Sequence, residues 1–212
     1  MIALEELKSR IAAAVSGAQV EIIPNPSLAN QPSILLDGPH ARAVARFLRD
    51  EPDLAFDYAS NVTGVDWPER VIKEKIKVKK ETGGVVSETE ETIERKTPAC
   101  LEVVYHLYSM ALRHGPLVVR LRTGDRQNDV ALPSLTPVWR SCEFQEREVF
   151  DLFGVIFQGH HDLRRLLMWE GFKDHPMRKD YVAPDDYEYE PTPHDQTLER
   201  ARRHYPQEAA QS

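Results

Sequence analysis

Glu146-Arg147-Glu148-Val149-Phe150-Asp151-Leu152-Phe153-Gly154-Val155 is the stretch on which the reading of this chain turns. Apolar residues recur in it at helical spacing, and a glycine follows the last of them. On a 100° wheel extended back to Thr136, Trp139, Cys142, Val149, Phe150 and Phe153 share one face, which predicts a helix opening at Thr136-Pro137 and closing at Gly154. Thr136 suits the N-cap, Pro137 the first turn, and Gly154 a left-handed C-cap. Glu146 falls in the middle of the apolar face, with Glu143 at its edge and Arg147 toward its flank. A carboxylate in an apolar stripe must be paired or carry a large desolvation cost. Arg164 and Arg165, a short distance on, are its expected partners.

Downstream the pattern stops being generic. Phe157, then Gly159-His160-His161-Asp162-Leu163-Arg164-Arg165-Leu166-Leu167-Met168, then His175-Pro176-Met177-Arg178-Lys179-Asp180-Tyr181 follow the helix. Together with residues 146–155 they closely resemble the signature of the 30-kDa subunit family of respiratory NADH:quinone oxidoreductase. That signature reads E-R-E-x-x-D-x-x-G-I-x-F-x-G-H-P-D-L-R-R-I-L, followed by an H-P-L-R-K-D segment. Phe56-Asp57-Tyr58, Val62-Thr63-Gly64-Val65-Asp66 and Val103-Val104-Tyr105-His106-Leu107 look like the same family's central strands. The resemblance covers about residues 35–190. It departs at His161, where proline is usual, and in a Lys-rich segment at 71–96 that looks like an insertion.

The resemblance implies a connecting subunit of the peripheral arm of the proton-translocating enzyme. Such a subunit carries no catalytic, cofactor-binding or metal-ligating residues of its own. FMN and the iron–sulfur clusters sit on partner subunits, and NADH and quinone are substrates of the complex. The implied partners are the large quinone-site subunit (49-kDa or D type) and the iron–sulfur subunits of B and I type. The implied location is peripheral, on the cytoplasmic face of the bacterial inner membrane. Glu146, Arg147, Glu148, Asp151, Gly154, Gly159, His160, Asp162, Arg164, Arg165, His175, Pro176, Arg178, Lys179 and Asp180 carry over only as signature residues. Buried ion pairs and subunit contacts are the roles expected of them.

Upstream, residues 3–15 read as an amphipathic helix through Leu4, Leu7, Ile11 and Val15. Val20 to Ile23 and Ser33 to Leu36 read as short strands. Pro39 sits in the first turn of a second helix whose apolar face is Ala41, Val44, Ala45 and Leu48, and Pro52 stops it. Strands are expected at Leu54 to Tyr58, Cys100 to Tyr108 and Pro116 to Arg122. Arg120 and Arg122 on the outward face suggest antiparallel neighbours and a wet side. Between Val71 and Lys96, Ile72, Glu74, Ile76 and Val78 alternate with Lys73, Lys75, Lys77 and Lys79, and an acidic strand follows Gly83-Gly84. That is a hairpin with opposite charges across it. It is either a solvated arm or one that grips a neighbouring subunit. Tyr181 onward is acidic, tyrosine-bearing and proline-rich, with too little aliphatic surface for a core of its own.

The fold expected is therefore α+β: a two-layer domain over residues 1–180 with a mixed β-sheet, a β-hairpin insertion at about 71–96, and an extended C-terminal tail over 181–212.

Composition limits the alternatives. The 212 residues are 41% hydrophobic and 29% charged, with net charge −7. That favours a globular domain and disfavours a nucleic-acid partner. No run approaches the roughly 18–20 apolar residues of a membrane span, and Met1 to Glu6 lacks the basic start of a secretory signal. Membrane association is therefore expected through the complex. Cys100 and Cys142 are too few for a cluster or a structural zinc site and read as core thiols. A metal-dependent hydrolase using His160, Asp162 and His175, with His161 and Asp174 nearby, is a rival reading. The surrounding Arg164, Arg165, Lys173, Arg178 and Lys179 oppose a cation there. The arginine pairs also suit phosphate, but no Gly-rich loop leads into a helix. A paralogous connecting subunit of a membrane-bound hydrogenase remains the nearest alternative within the same architecture.

Overall fold

A computed structural model describes residues 2–28, 30–82, 85–169 and 171–182, with backbone alone at 72–95. The chain divides into two units, Met1–Lys179 and Asp180–Ser212. Every element below belongs to the first. The expected tail lies outside the described residues from 183 onward, as does the Gly83-Gly84 turn.

The elements run α1 Leu4–Ala14, β1 Val20–Ile23, β2 Ser33–Leu36, α2 Gly38–Asp50, β3 Tyr58–Trp67, β4 Arg70–Thr82, β5 Val85–Thr97, β6 Cys100–Ser109, β7 His114–Arg122, β8 Ala131–Pro133, α3 Cys142–Phe153 and β9 Ile156–Gln158. Five strands form one sheet in the order β1-β2-β7-β6-β3. Only β2 and β7 run parallel, so the sheet is mixed. Strand alternation turns Ile34, Leu36, Val62, Leu101, Val103, Tyr105, Leu107, Leu117, Val119 and Leu121 to one face. There they form a single buried cluster with Leu7 and Ile11 of α1, the four apolar residues of α2, and Cys142, Val149 and Phe153 of α3. The result is the α+β two-layer architecture that the sequence predicts.

The opposite face is less wet than its arginines suggest. Arg120 and Arg122 both reach inward to Glu102, at 2.8 and 2.6 Å, and that carboxylate is fully buried. Cys100 is half-buried, whereas Cys142 is buried in the core.

Two boundaries move. The strand expected at Leu54–Tyr58 begins only at Tyr58. Leu54 and Phe56 are buried, but their amides bond back to Glu51 and Leu48, and Ala55 has φ 41°. The segment is thus a wound-down end of α2, and its apolar residues fill the core without joining the sheet. The third helix starts at Cys142 and not at Thr136. Residues 136–138 form a turn, and Trp139 is buried outside the helix, its indole N–H donating to the Phe56 carbonyl at 2.7 Å. Phe150 is half-buried.

α3 lies close to the β3 edge of the sheet. A Cβ on Gly64 would stand 2.4 Å from the Phe153 ring, so only glycine lets the helix approach this near. The free edge of β3 is partly closed by α3 and the residue before it: Gln145 accepts from the Val62 amide at 2.7 Å, and Ser141 donates to the Ala59 carbonyl at 2.8 Å.

Candidate functional site

The signature residues converge on α3 and the segment after β9, which runs to Lys179 with turns and bends and no helix or strand among the described residues. α3 anchors this segment and the β8 loop by two buried carboxylates and one buried guanidinium.

Glu146 is fully buried and accepts from the Ser134 hydroxyl at 2.6 Å, the Leu135 amide at 2.8 Å, the Thr136 hydroxyl at 3.0 Å and the Tyr105 hydroxyl at 3.2 Å. The expected pairing with Arg164 or Arg165 is wrong: no arginine reaches Glu146 among the described residues, and neutral donors satisfy it instead. Burial raises its carboxyl above the ordinary range, against the lowering effect of Ser134, Leu135 and Thr136. Burial likewise pushes up the Tyr105 phenol and the Cys142 thiol, and Glu146 adds to both.

Asp151, five residues on, is also fully buried. One carboxylate oxygen accepts three successive amides, Leu166 at 3.0 Å, Leu167 at 2.7 Å and Met168 at 2.8 Å. The other meets the Arg165 guanidinium at 2.7 Å. Burial works to raise its pKa, but the Met168 amide, Arg165 and the other two amides outweigh it and hold the carboxyl below the ordinary range.

Arg147 is buried and donates to the carbonyls of Arg164 and Arg165, each at 3.2 Å. Arg164 pairs with Asp162 at 3.0 Å in a largely exposed position. The Asp162 amide donates to His160 Nδ1, so Nε2 carries the proton it gives to the Glu143 carbonyl at 3.0 Å. Past the helix end, His175 Nδ1 bonds the Asp151 carbonyl at 3.0 Å, and Arg178 donates to the Phe153 carbonyl at 2.6 Å. Both side chains lie against Gly154, whose φ is +79° and whose absent Cβ would meet them at 2.5 and 2.6 Å. The glycine therefore serves the left-handed cap and the close packing together. Gly159 plays a similar part beneath Arg42, which donates to the Gln158 carbonyl at 2.8 Å. The Lys179 amide donates to Asp66, itself held by both arms of Arg126 at 2.6 Å.

Residues 34–187 match the model of the family described as "Respiratory-chain NADH dehydrogenase, 30 Kd subunit". This chain belongs to that family. Among 30-kDa relatives, the C-type subunit of the NADH-quinone oxidoreductase of Roseiflexus sp. (strain RS-1) is 34% identical over 177 residues, 84% of this chain and 80% of that one. Its counterpart in Roseiflexus castenholzii is 37% identical over 137 residues, 65% of this chain. The match spans only 62% of that relative's own length. The fold is shared with a chain of the membrane-bound sulfane sulfur reductase, an archaeal respiratory membrane complex, at 17% identity and a TM-score of 0.54, over 98% of this chain and 94% of that one.

In this member of the 30-kDa family the signature residues divide by job. Glu146, Arg147, Asp151, His160, Asp162, Arg164, Arg165, His175, Arg178 and Lys179 come together around α3 and the loop after β9. Glu148 is exposed on α3, Pro176 is half-buried, and Asp180 is exposed in the second unit. Tyr105 and Ser134, which hold Glu146, and Asp66 with Arg126 were not legible as partners in the sequence. Thr136 was, but as a helix cap and not as a donor to Glu146. The metal-site alternative is not assembled among the described residues. Both ring nitrogens of His160 are engaged by protein, and His175 turns Nδ1 to a carbonyl.

An irregular segment is thus fixed from beneath while it shows apolar side chains outward. Leu166, Leu167, Trp169 and Met177 are 38%, 57%, 46% and 56% exposed. Leu166 and Leu167 bond Asp151 through their amides and still present their side chains to solvent.

Proposed function

We propose that this chain is a cofactor-free connecting subunit in the peripheral arm of a proton-translocating NADH:quinone oxidoreductase. Electrons pass from NADH through FMN and iron–sulfur centres on partner subunits to quinone. The partners are the large quinone-site subunit of 49-kDa or D type and the iron–sulfur subunits of B and I type. Residues 1–180 act as the docking domain and 181–212 as an extended tail. The assembly sits on the cytoplasmic face of the bacterial inner membrane, and the chain reaches that membrane through its partners. No helix among the described residues is long and apolar enough to cross one.

The observation that carries this reading is the anchored loop. Asp151, Arg147 and His175 use their hydrogen bonds on backbone groups, on Arg165 and on Asp162, so they are committed to holding residues 162–178 in place. The loop they hold presents Leu167, Trp169 and Met177, and apolar side chains exposed on a hydrogen-bonded loop suit a protein interface. Family membership supplies the complex in which that interface is used.

The test is co-purification. The tagged chain is isolated from gently solubilised native membranes. The expected result is a large assembly containing FMN and iron–sulfur clusters with NADH:quinone reductase activity. A nickel-site large subunit in its place would move the chain to a hydrogenase-type complex, and a chain that runs alone would end the reading.

A further inference from the structure

Trp67 at the end of β3 and Cys100 at the start of β6 are direct partners across adjacent strands. A turn of two residues would close that connection. In its place the chain sends out residues 68–99, with two strands of 13 residues each, the longest among the described residues. At about 3.3 Å per residue the ribbon is roughly 43 Å long. It is a sheet of its own, and neither strand pairs with any other strand among the described residues.

The root of the ribbon is tied to the body. The Arg70 guanidinium lies 4.9 Å from the Trp67 ring centroid, and the Lys179 ammonium 5.7 Å from the same ring. Beyond the root, the register sets Lys73, Lys77 and Lys79 opposite Glu94, Glu90 and Glu88. Strand alternation assigns these positions to one face. It assigns all three isoleucines of the ribbon, Ile72, Ile76 and Ile93, with Val78 and Val85, to the other, where Glu74, Lys80, Glu91 and Arg95 are interspersed.

We infer that the β4–β5 ribbon is a clamp that lays its isoleucine face on the apolar surface of a neighbouring protein subunit. A two-stranded ribbon with nothing against its apolar face is marginal in water, so a ribbon of this length is completed by what it covers. The partner is a protein, and not a phosphate-bearing surface, because the charged face sets Lys73, Lys75, Lys77 and Lys79 against Glu81, Glu88, Glu90 and Glu94. The charged face is thereby largely neutral within itself and has no strong excess to spend on phosphate. The inference rests on the reading of the chain as a subunit of a larger assembly.

The test uses the full chain in its native assembly. A benzoylphenylalanine photo-crosslinker replaces Ile76 in one strain and Lys77 in another, and crosslinks are mapped after the assembly is purified. The position at 76 is expected to capture one defined protein subunit, and the position at 77 severalfold less. In parallel, Ile72→Lys with Ile76→Lys is expected to reduce retention of the chain in the assembly severalfold. The pair Lys73→Gln with Lys77→Gln should leave retention near wild type. Crosslinks from 76 to this chain alone or to lipid, equal capture from both positions, or unchanged retention of the isoleucine variant would each overturn the clamp while leaving the subunit reading intact. A wild-type chain that brings no assembly would remove both.

Discussion

The two ends of the buried face of α3 solve the same problem differently. Glu146 and Asp151 are both carboxylates with no exposed surface, five residues apart on one helix. Glu146 holds Ser134, Leu135 and Thr136 with neutral donors only. Asp151 holds Leu166, Leu167 and Met168 with the help of the Arg165 cation. Burial penalises the charge of both, yet the Glu146 carboxyl is raised and the Asp151 carboxyl is lowered. Burial therefore does not set the direction. The balance between desolvation and the donors arranged about the anion does.

Asp151→Ala is expected to have the largest effect. It strands a mostly buried Arg165 and three amides, and should cost about 3–5 kcal/mol in denaturant unfolding. The 162–178 loop should also become sensitive to limited proteolysis. An effect no greater than that of an ordinary surface substitution would break the comparison at its strong end.

Glu146→Ala strands no cation. The groups left without this acceptor, three hydroxyls and the Leu135 amide, are all neutral. A cost of about 1–3 kcal/mol is expected by the same measurement. A loss as large as that of Asp151→Ala would mean that the two sites are equivalent after all.

Acid titration of stability separates the carboxylates by sign. The Asp151 pKa is lower folded than unfolded, so its contribution is complete above the ordinary aspartate value of about 3.9 and is lost as pH falls through the folded value. The Glu146 pKa is higher folded than unfolded. Its favourable contribution is complete below the ordinary glutamate value of about 4.3 and is lost as pH rises through the folded value. Relative to Glu146→Gln, wild type should gain stability as pH is lowered from neutrality through the raised Glu146 pKa. Relative to Asp151→Asn, it should lose stability at the acid extreme. Two differences of the same sign would refute the contrast.

The smallest thermodynamic effect is expected on the outer side of the anchored loop. Leu167→Ser and Met177→Ser alter exposed side chains and should change stability by no more than about 0.5 kcal/mol. Retention of the chain in its assembly should nevertheless fall. Normal retention would show that Asp151 fixes this loop for a reason other than docking.

Elements were legible in the sequence wherever periodicity and punctuation agreed. α1 and α2 carry their apolar positions at steps of three and four, and all four residues expected on the α2 face are buried. The ribbon was legible from alternation about Gly83-Gly84, and the left-handed end of α3 from Gly154. Where local cues had more than one use, the expectation and the structure part. Thr136-Pro137 has the composition of a helix start, but Thr136 gives its hydroxyl to Glu146 and the helix opens at Cys142. Leu54 and Phe56 alternate like a strand, yet they fill the core from a turn. The short parallel pair β8–β9 joins Ala131–Pro133 to Ile156–Gln158, and three residues on each side are too few to leave a periodic trace.

Side-chain spacing and backbone preference were enough to fix the α+β class, the positions of most helices and strands and the amphipathic ribbon, and the signature residues were enough to fix the family to which residues 34–187 belong. Those properties are local, so the order of residues carries them without further information. That Arg165 answers Asp151, while Glu146 is held by Tyr105, Ser134, Leu135 and Thr136, was settled only by the assembled fold. A buried carboxylate announces in sequence that it needs partners. Which groups meet it depends on how strands and loops distant in the chain are brought together, and no local pattern records that.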